Sequence, residues 1–401
     1  MHLALTEEQH LIQDLARKFA VTELEPIAAQ LDRDSDSGKN RQLFLANLKM
    51  LAELGFMGLN VSSKYGGTEA GVVSFSLAVT EIARACASTA VTMSVTNMVG
   101  EVIQAVANND QKQQYLPKLS SGDYAAGSFC LSEQGAGSDP AAMKTRAVKE
   151  GDRWIINGAK AWITSAEYAG IFIVWAVTDP DAASGNGISC FLVEADTPGI
   201  TVGKAEQKMG QHASSTNMVS FDNCRIPSSA LMGELNDGFR IAVAELAGGR
   251  IGIGSLALGI GFAAMDYARR YTTEREQFGR SLASFQGLQW MMSDAYTQLE
   301  ASRLLIMNAA YLKDSHKPFN KAAAMAKLHA TETGHKVCYT AQQLLGGMGY
   351  TQDCPLERYA RDVRVTSIYE GTSEIQRLII ARELLSEVST DSMIKFSSNR
   401  K

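Results

Sequence analysis

The hydrophobic repeat of this chain changes twice along its length, and no other feature constrains the fold as much. Up to about residue 123, apolar residues recur at helical spacing. Leu11, Ile12, Leu15 and Phe19 make one stripe, and Leu43, Leu48, Leu51 and Leu54 make another. Thr6 followed by Gln9 is a capping box that opens the first helix. Small residues from Ala85 to Gly100 predict one closely packed helix, and Asp110 begins another that Pro117 and Gly122 close. From about 124 the period shortens. Residues 154–164 read as two strands turning at Asn157-Gly158, with further strands over 171–177, 188–194 and 218–221. After about 238 the pattern is helical again, in long elements near 239–273, 285–313, 320–345 and 355–387. The predicted fold class is α+β: an N-terminal α-helical domain (1–123), a central β-barrel or sandwich domain (124–238) and a C-terminal four-helix bundle (239–401). The polar tail after Ser386 is expected to fray.

Composition narrows the class. A length of 401 residues is long for one core, and 45% hydrophobic with 20% charged residues is an ordinary globular balance. A net charge of −5 argues against a nucleic-acid binder, which carries a basic surplus. The cysteines are scattered without a Cys-x-x-Cys pair and the histidines show no His-Glu-x-x-His, so neither a disulfide framework nor a metal site is expected. The amphipathic start does not read as a secretory leader, and no apolar run reads as a membrane span. A soluble cytoplasmic protein without a membrane partner is the expectation.

Chemistry concentrates in residues 366–380, Thr-Ser-Ile-Tyr-Glu-Gly-Thr-Ser-Glu-Ile-Gln-Arg-Leu-Ile-Ile. Ile375, Leu378 and Ile379 have helical spacing, and Ser373 with Gln376 reads as a capping box. Glu370 and Gly371 precede that helix. A carboxylate beside glycine at a helix mouth is placed to enter a cavity, and glycine lets a ligand approach the backbone amides. The simpler account is that Glu370 only answers the positive end of the helix. A second loop, Leu131-Ser-Glu-Gln-Gly-Ala-Gly-Ser-Asp139, is rich in backbone donors suited to a phosphate or a polar ring edge, or else is a plain surface turn. Gly252-Ile-Gly254-Ser-Leu-Ala257 imitates a dinucleotide fingerprint but lacks the preceding strand. Close helix packing is its expected role.

Together, the 366–380 and 130–139 stretches resemble signatures of the acyl-CoA dehydrogenase family. Trp162-Ile163-Thr164, the run from Arg275 through Phe278, and the run from Gln343 through Gly346 and Gly347 extend the resemblance in the family's order, from the first helix to about residue 385. The resemblance implies FAD as cofactor and an acyl-CoA as substrate. It implies that Phe129, Leu131 and Ser132 touch the flavin, with Gly137 and Ser138 by the phosphates and Ser138 also near the CoA chain. Trp162, Ile163 and Thr164 would flank the isoalloxazine, the Thr164 hydroxyl directed at N5. Arg275 and Phe278, with Phe285 and Gln286, would clamp the FAD of a neighbouring subunit. Gln343, Gly346 and Gly347 would meet its adenosine half, and Thr372 and Glu374 would complete the cofactor site. Arg250, Tyr369 and Gly371 fall on the substrate side. A shared cofactor site implies at least a dimer, and the family a homotetramer built as a dimer of dimers.

The implied reaction removes the α-proton to Glu370 and the β-hydride to flavin N5, giving a trans-2-enoyl-CoA, as in β-oxidation. Electrons would pass to an electron-transfer flavoprotein. Burial under the acyl chain is expected to raise Glu370 above its free value of about 4.3, and its backbone N–H would help to hold the thioester oxygen. Three departures stand out. Ala247 replaces an acidic residue usual in short- and medium-chain members. Gly249 cannot supply the base that some relatives place there, which leaves Glu370 as the candidate. Gln211-His212 replaces a more usual arginine, with no functional account from sequence. Residues 91–103 offer no arginine for a second carboxylate, so a plain saturated chain leads over a glutaryl-type one; straight short-to-medium chains are expected slightly ahead of branched ones. Competing readings are an oxygen-using oxidase or monooxygenase, and a flavoprotein of this fold acting as an assembly or scaffold partner.

Overall fold

The computed structural model describes residues 4–34 and 38–398, with side chains through Glu387. The first third holds α1 (Glu7–Phe19), α2 (Glu25–Arg33), α3 (Gly38–Glu53), α4 (Gly71–Ala85), α5 (Ala87–Val106) and α6 (Asn109–Ser121). The capping box forms as expected: the Thr6 hydroxyl accepts the Gln9 N–H at 3.2 Å, and Gln9 Oε1 accepts the Thr6 N–H at 3.0 Å. The predicted stripe of α1 is only half inward. Phe19 is buried, but Leu11 and Leu15 are exposed because Ala16 takes the inward position on that face. Residues 85–100 are not one helix either, since Cys86 adopts extended backbone between α4 and α5. Pro117 lies within α6 without ending it, and Gly122, at φ 77°, does so.

Strands β1 (Ala126–Cys130), β2 (Arg146–Glu150), β3 (Arg153–Thr164), β4 (Ala169–Val177), β5 (Ile188–Glu194), β6 (Ile200–Ala205), β7 (Thr216–Pro227) and β8 (Leu231–Met232) form one mixed sheet. Its order is β6-β7-β3-β2-β4-β5-β8, with β1 added parallel to β4. Period-2 alternation gives the sheet two buried faces. Phe172, Val174 and Phe191 meet Trp154, Val219 and Phe221 in a sandwich-like core. Ile171, Ile173 and Trp175 on the other face pack against Val99, Val102 and Ile103 of α5. The expected hairpin at Asn157-Gly158 does not form, because β3 runs straight through it. Gly158, at φ 146°, sits at a register shift where a Cβ would lie 2.6 Å from the Thr145 Cα, and Asn157 Oδ1 accepts the Asn223 N–H at 2.8 Å. The dipeptide marks a bulge and a close strand approach, not a turn.

The last third contains α7 (Gly238–Glu274), α8 (Gln286–Asp314), α9 (Asn320–Leu345), α10 (Leu356–Arg364) and α11 (Ser373–Ser398). α7 packs on α4, α5, α8 and α9. A Cβ at Gly259 would lie 2.2 Å from the Thr80 carbonyl oxygen, and one at Gly252 2.3 Å from Ser94 Oγ, so the fingerprint-like glycines are helix-packing surface. Contrary to expectation, α7 is long and apolar enough to cross a membrane, yet most of that apolar window is buried inside the protein. The helix expected over 355–387 is also divided. It is α10 and α11, separated by a 3-10 turn over Val365–Ser367 and a non-helical turn over 368–372, and α11 continues past the expected fraying point to Ser398. Glu370 lies in that turn.

Candidate active site

Glu370 has φ 54° and Gly371 has φ 87°, two successive left-handed residues that reverse the chain between α10 and α11. Holding a glutamate there costs roughly 1–3 kcal/mol, so the surroundings must impose it. They do. Gln376 Nε2 donates to the Glu370 carbonyl at 3.2 Å and to the Gly371 carbonyl at 2.8 Å. Lys327 Nζ, buried on α9, donates to the Thr366 and Gly371 carbonyls at 2.9 and 2.8 Å. The cap of α11 differs from the one expected. Thr372, not Ser373, accepts the Ile375 N–H, at 3.3 Å, while Ser373 donates to Glu332 at 2.5 Å.

The turn presses the Glu370 carboxylate against α7 and α5. A Cβ built on Gly249 would lie 2.8 Å from Glu370 Oε2 and 2.9 Å from Met98 Sδ. Oε2 is buried without a hydrogen-bond partner among the described residues. Burial therefore raises the carboxyl to about 7, with Lys327 and Arg250 pulling the other way. Burial also pushes the Lys327 ammonium down to about 8, opposed by Glu370. Arg250 is 5% exposed; its Nη1 donates to Asn320 at 2.6 Å and its Nε has no partner among the described residues. A carboxyl with one oxygen buried, poised near neutrality under the charges of two buried cations, has the attributes of a general base. Tyr369, beside it, has its hydroxyl held by Gln211 Nε2 at 3.2 Å.

The 131–139 loop is anchored from within. Glu133 accepts the Lys144 and Thr145 N–H groups at 2.7 and 2.9 Å and pairs with fully buried Lys160 at 2.9 Å, which also reaches the Leu131 carbonyl at 3.1 Å. Phe129 packs its ring on Trp175 at 4.2 Å, Leu131 is buried and Ser132 half-buried. Gly137 and Ser138 stay exposed, and no atom lies within 4 Å of where a Gly137 Cβ would sit. Trp162 is 59% exposed at φ 63°. A large ring held outward on left-handed backbone is a platform for a flat ligand. Ile163 turns its side chain into the sheet core, leaving only its backbone for such a ligand, and Thr164 is half-buried at the strand end. This loop and ring fit a flavin dinucleotide.

The remaining expected residues lie elsewhere on the chain. Arg275 and Phe278 occupy a short exposed hairpin, Phe278 being 92% exposed with its ring 6.1 Å from Phe285, over which Arg280 stacks at 4.0 Å. Gln286 opens α8, and Gln343, Gly346 and Gly347 are exposed at the end of α9. Among the described residues, no ring contact or hydrogen bond joins these residues to Trp162 or Glu370. Thr372 and Glu374 line a polar cleft of about 350 Å³ with His335, Arg364 and Ser367. Sequence reasoning missed Lys327 and the Glu133–Lys160 pair, and it read Gln376 as a capping-box partner of Ser373 where the side chain instead donates to the Glu370 and Gly371 carbonyls. Lys327 was visible in principle as a lone cation on the apolar stripe of Ala323, Ala326 and Ala330.

Models of the acyl-CoA dehydrogenase N-terminal, middle and C-terminal domains match residues 6–123, 128–224 and 236–385. The chain belongs to the acyl-CoA dehydrogenase family, whose members are FAD flavoproteins, and it is an acyl-CoA dehydrogenase. Among its relatives is the short-chain specific acyl-CoA dehydrogenase of Mus musculus, 47% identical over 95% of this chain and 91% of that protein. The short-chain specific enzyme of Clostridium acetobutylicum is 42% identical over 96% and 100%. Butyryl-CoA dehydrogenase of Megasphaera elsdenii superposes with a TM-score of 0.92 at 37% identity, covering 96% of this chain and all of that one. A glutaryl-CoA dehydrogenase of Mycobacterium smegmatis, solved with FADH2, superposes with a TM-score of 0.87 at 30% identity, covering 95% of each chain.

Proposed function

We propose that the protein oxidises short, straight-chain acyl-CoA thioesters to trans-2-enoyl-CoA with Glu370 as the α-proton base. The observation that carries this reading is the Glu370 carboxyl against Gly249, its Oε2 buried and without a partner among the described residues and the group raised to about 7 by burial. At that value the group is half ionised near neutral pH and still basic enough to take a carbon-bound proton. The Glu370 N–H has no backbone acceptor among the described residues, which suits it to the thioester oxygen as enolate charge develops. Arg250 and Lys327 hold positive charge nearby to balance the ionised base. Bound FAD supplies the two-electron acceptor for the β-hydrogen. Trp162, Ile163, Thr164, Phe129, Leu131, Ser132, Gly137, Ser138, Thr372 and Glu374 would hold it from one subunit. Arg275, Phe278, Phe285, Gln286, Gln343, Gly346 and Gly347 would hold it from a neighbour in a homotetramer.

Packing near the base and the short-chain relatives support a short acyl chain. A Cβ on Gly252 would lie 2.3 Å from Ser94 Oγ and 3.2 Å from the Phe75 ring, so α7 packs tightly on α5 and α4 one turn along from Gly249. This tight packing, with the short-chain relatives, supports a four-carbon acyl group. Electron-transfer flavoprotein is the proposed acceptor. Its support is a solved structure, presented as the electron transferring flavoprotein of Acidaminococcus fermentans, that matches this chain with a TM-score of 0.92 at 40% identity. A second reading runs the same couple in reverse, with protonated Glu370 delivering the α-proton. A relative named acryloyl-CoA reductase (NADH), from Anaerotignum propionicum and 40% identical, favours it. The test is an anaerobic titration of the purified flavoprotein with butyryl-, octanoyl-, isobutyryl- and isovaleryl-CoA. Bleaching of the oxidised flavin band by butyryl-CoA first is the expected result; bleaching by none of them refutes the proposal.

A further inference from the structure

We propose that Gln211 and His212 form a latch that positions Tyr369 beside the base, and that His212 acts in it as an obligate imidazolium. This rests on the proposed role of Glu370 and adds two positioning residues to that site. The 208–212 loop joins β6 to β7 and lies directly on α10. A Cβ on Gly210 would be 2.6 Å from the Arg361 carbonyl carbon, and Arg361 Nη1 donates to the Met209 carbonyl at 3.2 Å. Gln211 is 4% exposed with φ 52°. Its N–H donates to Asp362 Oδ1 at 2.5 Å, and its Nε2 is shared between the Asp362 carbonyl at 2.9 Å and the Tyr369 hydroxyl at 3.2 Å. One side chain thus ties the residue preceding the base to the end of α10.

His212 fixes this loop to α2. Its Nε2 lies 2.8 Å from the Lys208 carbonyl; its Nδ1 lies 2.8 Å from the Asp32 carbonyl and 2.9 Å from Asp32 Oδ1. Carbonyl and carboxylate oxygens only accept. Both ring nitrogens must therefore donate, and no neutral tautomer satisfies both sides. The charged groups around the ring are consistent with a cation. Asp32 faces it from α2 and also accepts from Arg361 Nη1 and Nη2 at 3.0 and 2.5 Å, while Glu357 accepts from Arg361 Nε and Nη2 on α10 at 2.7 and 2.9 Å. Asp362, buried beneath Gln211, is raised to about 6, and Lys208 turns its ammonium to the Ser214 carbonyl at 2.8 Å. The Asp32 hydrogen bond and charge raise His212 to about 9 against desolvation. Since that lies above its free value, the latch is whole below about pH 6.5 and is lost as pH rises through about 9. An arginine at 212 would offer two donors without titrating in this range.

The test is stopped-flow bleaching of the bound flavin by butyryl-CoA, from pH 6.5 to 10, on full-length FAD-loaded wild type, H212R, H212Q, D32N and Q211L. In wild type the rate falls on an alkaline limb near pH 9. H212R keeps the neutral-pH rate and carries that limb up by at least about one pH unit, whereas D32N moves it down. H212Q and Q211L lose about tenfold in kcat with a smaller change in KM, as expected for a base displaced by a fraction of an ångström. An alkaline limb unmoved in both H212R and D32N, or a wild-type rate in Q211L, overturns the proposal. If wild type is bleached at no pH, the role of Glu370 fails instead, and the latch is then judged by melting temperature alone. A wild-type melt that drops above pH 9 relative to H212R supports it, and coincident curves overturn it.

Discussion

Gly249→Ala places one methyl group where the structure has room for none. That carbon would stand 2.8 Å from Glu370 Oε2, 3.1 Å from its Cδ and 2.9 Å from Met98 Sδ. Ordinary contact begins at 3.4 Å, so the carboxylate must retreat by about 0.6 Å, the difference between 3.4 and 2.8. A misplacement of about 1 Å costs on the order of 100-fold in rate, so the expected loss is roughly 10- to 30-fold in flavin reduction. Stability should respond differently. Glycine to alanine within a helix contributes about 1 kcal/mol, which offsets much of a crowding cost of about 1–3 kcal/mol. The variant should therefore melt within a few degrees of wild type while reducing its flavin far more slowly. The assay is stopped-flow bleaching with butyryl-CoA alongside a thermal melt of the same preparation. A rate within about twofold of wild type, at an unchanged melt, would refute the placement of the base against α7.

Four more outcomes are expected. Wild-type flavin reduction should rise with pH through about 7 as Glu370 ionises. Because that carboxyl is raised on folding, its neutral form is the one that stabilises the fold, and stability falls as pH climbs from about 4.5 through 7. Glu370→Gln should accordingly melt above wild type at pH 8 while losing at least about 100-fold in flavin reduction; an active Gln variant would end the assignment. Lys327→Met strips the Thr366 and Gly371 carbonyls of their donor, at a cost of roughly 2–4 kcal/mol by urea unfolding, and removes a cation beside the base. Its acid limb should move to higher pH, and an unmoved limb would show that Lys327 is structural only. Glu133→Gln leaves buried Lys160 uncompensated, which costs about 3–5 kcal/mol. Loss of bound flavin should accompany the lower melt, and a variant as stable as wild type would count against the pair as the anchor of the 131–139 loop.

Much of the fold was legible because its periodicities are regular. The helix–strand–helix order and the long elements near 239–273, 285–313 and 320–345 appear with small shifts. Failures came where tertiary contact overrides a local signal. Asn157-Gly158 carries strong turn chemistry, yet strand pairing with β2 and β7 draws it into an extended bulge. The break at 365–372 inside the last expected helix depends on Lys327 and Gln376, which capture carbonyls that would otherwise continue the ladder. Glu370 itself was readable from its motif. What makes it a candidate base was not, since the burial of Oε2 depends on Gly249 and Met98, 121 and 272 positions away. Lys160 shows the same limit, because a buried lysine looks like any surface lysine until its partners are in place, whereas Lys327 stands out in sequence only as a lone cation on an apolar stripe, with its partners still hidden.

The position of α7 bears on how the chain is made. Its apolar surface completes the packing of α4 and α5, whose last residues, Ala85 and Val106, precede Gly238 by 153 and 132 positions. On a ribosome adding about 5–20 residues per second, that interval lasts roughly 7–30 s. Throughout it, a helix as glycine-poor and apolar as α4 displays the face that Thr80 and Ala83 later offer to Gly259. Nascent chains should therefore be most vulnerable to protease and most attractive to holdases between the emergence of residue 106 and that of residue 274, with protection arriving in one step once α7 has cleared the exit tunnel.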